Sequence, residues 1–94
     1  MDKEWKLTIL KKDLQMMTSA NDEYLKTLLE AADSLVQREG IKNDGSMEYD
    51  MIQIQYAAYL FRRRAGTDTA MPRYLRWEIN NLLFSQKAGG EHDV

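Results

Sequence analysis

The 94-residue chain contains no cysteine, a single proline and a single histidine. Without thiols there is no disulfide framework, no thiolate nucleophile and no cysteine-ligated zinc. That usage fits a reducing compartment. The one histidine, His92, stands close to the end of the chain, which excludes a histidine-based catalytic triad or an imidazole-led metal cluster. Long apolar runs are missing too. The longest, YAAYLF at 56–61, is far too short to span a bilayer, and the opening MDKEWK lacks the apolar stretch of a secretory signal. No glycine-rich phosphate loop is present, and there is no internal repeat or low-complexity tract. Nor is there an excess of positive charge: 13 Lys and Arg against 15 Asp and Glu give a formal charge of −2, with no overall electrostatic reason to hold nucleic acid. Together these absences predict a soluble intracellular domain with no catalytic, cofactor-binding or metal-binding residues.

What remains is rich in helix formers. Leu, Lys, Glu, Gln, Met and Ala dominate, and no segment alternates apolar and polar residues between turns. The prediction is an all-α fold, a compact bundle of about four helices over 1–88, followed by a flexible tail at 89–94. Ninety-four residues suffice for one modest core. A first helix is expected after Thr8, read as its N-cap, running to about Met17 with Trp5 and Leu7 stapled ahead of it. The second shows the cleanest period: Tyr24, Leu25, Leu28, Leu29, Ala32, Leu35 and Val36 share one face. Ser19 or Asn21 can cap its start, and Gly40 ends it. KNDGS at 42–46 reads as a turn, with Ser46 capping a third helix over about 47–65. Asp44, Ser46, Glu48 and Asp50 alternate like calcium ligands, but the EF-hand glycine and bidentate glutamate are missing, and turn plus cap accounts for all four.

The third helix is apolar on two faces. Met47, Met51, Ile54, Ala58 and Phe61 form one; Tyr49, Ile52, Tyr56, Tyr59 and Leu60 form the other. Such a helix lies at the centre of its own domain or against other chains. Tyr56 and Tyr59 suit a partly wet contact, between chains or against the fourth helix. Arg62, Arg63 and Arg64 close this helix. They suit the negative end of its dipole, and otherwise offer a clamp for phosphate or carboxylate, or salt bridges to a neighbouring chain. The fourth helix, about 71–87, opens on Pro72 at its first helical position and is expected to stop at Gly89 and Gly90. Leu75, Ile79, Leu82 and Leu83 mark its buried stripe. Arg73, Arg76, Trp77 and Asn80 fall at i, i+3, i+4 and i+7, a continuous strip whose composition is that of a recognition surface unless Trp77 simply widens the core. The 89–94 tail is expected to become ordered in the same contact.

Read in order, the Thr-x-Leu opening at 8–10, DEYL at 22–25, YAAYLFRRR at 56–64 and MPRYLRWEINNLLF from Met71 resemble the small head–tail connector proteins of tailed bacteriophages, also described as head-completion or DNA-packaging proteins. The resemblance covers roughly residues 7–87. It implies a helical domain that assembles with copies of itself into a ring, dodecameric on the portal, which extends the DNA channel and forms the platform for tail joining. The implied partners are the portal protein, the next head-completion or tail protein, and DNA passing without sequence-specific contact; no cofactor is implied. The implied locations are the host cytoplasm during assembly and the head–tail junction of the virion. The competing reading is a small helical nucleic-acid-binding or regulatory protein using the Arg62–Arg64 cluster and the fourth helix.

Overall fold

The periodic stretch around 24–36 forms the central part of the second helix in a computed structural model that describes residues 3–66 and 70–92. Four helices follow one another: α1 (Lys3–Asp13), α2 (Asp22–Arg38), α3 (Met47–Arg64) and α4 (Arg73–His92). No strand occurs among the described residues, and the fold is all-α.

α3 is the hub, with α1, α2 and α4 all packed against it. Most of its two apolar faces is therefore used inside the chain, the exception being its first turn, where Met47 is 60% exposed. Tyr49, Ile52, Ile54, Tyr56, Ala57, Ala58 and Tyr59 are all buried. α2 adds Leu25, Leu28, Leu29, Ala32 and Val36, while α4 adds Leu75, Ile79 and Leu82. The core side of α4 is thus the stripe read from the sequence.

Local signals set most boundaries. Ser46 caps α3, its Oγ accepting from the Tyr49 N–H at 3.1 Å. The preceding loop is an Asx arrangement in which Asn43 Oδ1 accepts from the Gly45 N–H (3.1 Å) and Asp44 Oδ1 from the Ser46 N–H (2.9 Å). Hydrogen bonding from the Ser46 hydroxyl, and then from its N–H, holds the Asp44 carboxyl below its ordinary value. Asp50 turns the other way, into the core, so the alternating acids do not converge. Among the described residues no cluster of acidic, histidine or cysteine side chains is arranged to hold a metal. Gly40, at φ +98°, follows α2 in the left-handed region, and a Cβ there would stand 3.4 Å from Leu83 of α4.

Several expectations need correction. Asn21 stands at the N-cap position of α2, but its side chain makes no capping bond. α1 begins at Lys3, well before Thr8, and contains Trp5 and Leu7. Thr8 is no cap: its hydroxyl donates to the Glu4 carbonyl at 2.9 Å from within the helix. The early start is held by tertiary contacts, with Leu7 and Leu10 buried and Lys6 reaching into α3. α1 also ends early, at Asp13. Met16 N–H bonds to Lys11 O (2.8 Å) and Gln15 N–H to Lys12 O (3.1 Å), with Gln15 at φ 58°, the Schellman pattern built on a non-glycine residue. Met17 consequently lies outside the stripe, 97% exposed. At the other end of the chain, α4 runs through Gly89 and Gly90 to His92. Glycine inside a helix costs about 1 kcal/mol relative to Ala and does not by itself force a stop. Asp93 and Val94, the end of the expected tail, lie outside the described residues, as do Thr67, Asp68 and Thr69 of the linker. Pro72 stands just before α4, its carbonyl accepting from the Arg76 N–H at 3.2 Å, one position from the expected first turn. Among the described residues no helix is long and apolar enough to cross a membrane.

Candidate functional site

A buried polar tie joins three helices. Lys6 Nζ of α1 lies 3.2 Å from Asp50 Oδ1 of α3, with side chains 12% and 5% exposed, and donates to Gln53 Oε1 at 2.7 Å. Gln53 Nε2 donates in turn to the Leu29 carbonyl of α2 at 2.8 Å. Two charges removed from water require this degree of partnering. The cluster is a brace between helices, with its ammonium and carboxylate held by each other.

A second tie lies between α2 and α3. Tyr49 Oη donates to the Asp33 carboxylate and sits 3.2 Å from the Asp33 carbonyl. Burial and the Asp33 carboxylate push the Tyr49 phenol well above its ordinary value of 10.0. Because the folded-state value is raised, the native state keeps its proton where the unfolded chain has lost it. The tie's contribution to stability is therefore fully present below pH 10 and declines above that value, where the unfolded chain ionises its phenol while the native one still holds its proton. A falling urea midpoint between about pH 9 and pH 11 is expected, with a shallower fall in Tyr49→Phe. Equal slopes in the two proteins would show that Tyr49 contributes nothing to alkaline sensitivity. At neutral pH the same substitution is expected to cost about 1.5–3 kcal/mol, the range for a hydrogen bond to a charged group.

The arginines at the end of α3 face different surroundings. Arg62 Nη2 is 3.3 Å from Asp13 Oδ2 and 3.4 Å from the Asp13 carbonyl. Arg64 stacks over the Tyr24 ring, 5.7 Å from its centroid. Arg63 is exposed. The three do not converge on a common point, and two are spent closing the chain on itself. Tyr56 and Tyr59 are 9% and 8% exposed and meet edge to face, centroids 5.9 Å apart. Of the two expectations for them, contact between chains or packing within the chain, their burial fits the second. Burial and the nearby Glu39 carboxylate raise the Tyr56 phenol.

α4 presents the other kind of surface. Arg73, Trp77 and Asn80 are exposed as a strip, and Trp77, 67% exposed, does not widen the core. Arg76 departs from the strip: its Nη1 is 2.6 Å from Glu39 Oε1, so the guanidinium is drawn to the end of α2. Phe84, 76% exposed, was not singled out by composition, although its i+7 spacing from Trp77 places it on the same line. Beside this line runs a groove of about 500 Å³ between the first half of α3 and α4, lined by Met47, Met51, Ile52, Trp77 and the acidic Glu48 and Glu78. Gln55 also borders it, and its amide oxygen is buried with no hydrogen-bond partner among the described residues. Such an acceptor is costly unless a donor reaches it. The groove thus combines an apolar floor, an acidic rim and an unsatisfied acceptor, the makings of a contact surface.

Comparison of the chain with protein families, with curated proteins and with solved structures finds no match.

Proposed function

We propose that this chain is a non-enzymatic head–tail connector of a tailed phage or prophage, one subunit of a dodecameric ring that sits under the portal vertex, extends the DNA channel and receives the tail. The observation that carries the proposal is the outward face of α4. Tyr74, Trp77 and Phe84 stand 53%, 67% and 76% exposed on it, although the chain has a complete core beneath. Aromatic side chains left in water on one helix mark an interaction surface. A ring joint is heterologous and needs two unlike patches on each subunit; the acidic-rimmed groove between α3 and α4 and the aromatic line differ in chemistry but adjoin each other and share Trp77, so they support one contact face on this side of the subunit. The partners on this reading are further copies of the chain, the portal protein and the next head-completion or tail protein. DNA passes through without being gripped, in keeping with a net charge of −2. The nucleic-acid-binding alternative is weakened because Arg62, Arg64 and Arg76 are engaged within the chain, leaving few guanidinium groups for phosphates.

Deleting the coding sequence from the phage that carries it is expected to yield DNA-filled heads without tails, counted by electron microscopy. Supplying Trp77→Ala in trans is expected to leave the defect in place while wild-type chain repairs it, because exposed hot-spot aromatics cost about 2–4 kcal/mol on truncation. Normal tailed particles from the deletion would rule out the connector reading.

A further inference from the structure

The exposed line on α4 has a periodicity of its own. Tyr74, Trp77, Asn81, Phe84 and Ala88 are spaced three, four, three and four residues apart, and all five are exposed. The buried residues of the same helix, Leu75, Ile79 and Leu82, occupy the opposite side. α4 therefore carries two seams: one that docks on α3, and one that follows the a/d pattern of a coiled coil and faces outward, Trp77 and Asn81 of it also bordering the groove beside α3. Tyr74, Asn81 and Ala88 take the a positions, Trp77 and Phe84 the d positions.

We infer that this second seam pairs with α4 of a second copy, parallel and in register. Three features select that occupant. In a parallel pair each flanking g residue faces the e residue five positions further along the partner, which sets Arg73 against Glu78 of the other helix twice, by symmetry. Neither residue has an ion pair among the described residues, so both charges are available. An antiparallel pair would instead bring the g residues Arg73 and Lys87 of the two helices to the same side, cation against cation. The third feature is Asn81 at the middle a position. A parallel register places it opposite its own counterpart, where two amides bond to each other, whereas an antiparallel one sets it against an aromatic d residue.

Two heptads would be too short to fold and pair an isolated helix. Here α4 is already held by the domain, so pairing does not have to provide the cost of forming it. Rings of this kind bury about 150–250 Å² each when fully enclosed. Three half-exposed or more exposed rings per copy place the contact at the small end of specific interfaces. The expected pair is thus concentration-dependent rather than permanent. It is isologous and closes at two copies, so it describes the free chain; a connector contact through the same α4 face would have to replace it on assembly.

Because the chain has no cysteine, one introduced thiol reports directly on register. Asn81→Cys is expected to form an intermolecular disulfide under mild oxidation, since facing a positions of a parallel pair lie within disulfide reach. Ser34→Cys, exposed on α2, serves as the control and should not cross-link. Light scattering of the wild-type chain up to about 1 mM is expected to show the mass rising from 11.0 kDa towards twice that value. Trp77→Ala with Phe84→Ala should stay monomeric with an unchanged helical spectrum, as both residues are exposed. A monomer at every concentration, or equal cross-linking of the two cysteine variants, would overturn the pairing. A ring-sized mass would overturn it as well, while leaving the connector proposal standing.

Discussion

Replacing Tyr56 and Tyr59 together with Ala is expected to lower stability by about 5 kcal/mol or more, enough to unfold much of the population at room temperature. Each ring is more than nine-tenths buried on α3, and removing a buried aromatic side chain costs about 3–5 kcal/mol through lost transfer energy and an unfilled cavity. The two rings touch, so the costs overlap and do not simply add. Even so, the total approaches the roughly 5–15 kcal/mol that holds a small domain folded. Urea unfolding followed by circular dichroism is the measurement. Tyr56→Phe with Tyr59→Phe keeps the ring volumes and should remain folded. A double-alanine variant with the wild-type midpoint would show that neither ring contributes to packing.

Lys6→Met is expected to cost about 3–5 kcal/mol, a large effect for a residue near the chain start. The substitution preserves most of the side-chain length and removes the ammonium that faces the buried Asp50 carboxylate. Gln53 loses a donor at the same time. Adding Asp50→Met should recover part of the loss, because a buried pair replaced on both sides by apolar groups is often close to neutral. A double variant no better than Lys6→Met alone would mean that the loss comes from packing and not from a stranded charge.

The readable parts of this fold are those specified by neighbours in the chain. α2 has an uninterrupted apolar period between an acidic start and Gly40, and α3 has Ser46 as its cap, so both boundaries were legible. α1 was not. Seven of its eleven residues are Lys, Glu, Thr or Asp, and the interaction that secures its first turns, Lys6 with Asp50 and Gln53, joins residues more than forty positions apart. Nothing in a local window announces such a contact. Thr8 misled because a hydroxyl that caps a helix and one that bonds back within it look alike in sequence. At the site, composition left Trp77 open to core or surface, although its offset of two residues from both Leu75 and Ile79 turns it away from their face. Its 67% exposure places the indole at the surface. The arginines of α3 were legible as a cluster but not as three separate environments, since Asp13 and Tyr24 come to them from elsewhere in the chain.

The carboxamide of Gln86 has a consequence for the whole of α4. Its oxygen accepts from the Lys42 N–H and its nitrogen donates to the Lys42 carbonyl, both at 2.8 Å, so it engages the loop as a second peptide group would. Ten residues earlier Arg76 grips Glu39. These two fastenings lie about 15 Å apart along the helix axis, one near each end of the docked length. A rod pinned at two separated points can neither swivel about its long axis nor pivot away from its bed. Whatever meets Tyr74, Trp77 and Phe84 therefore encounters a fixed row of rings at a set angle, and gains their contact without first having to still a rolling helix.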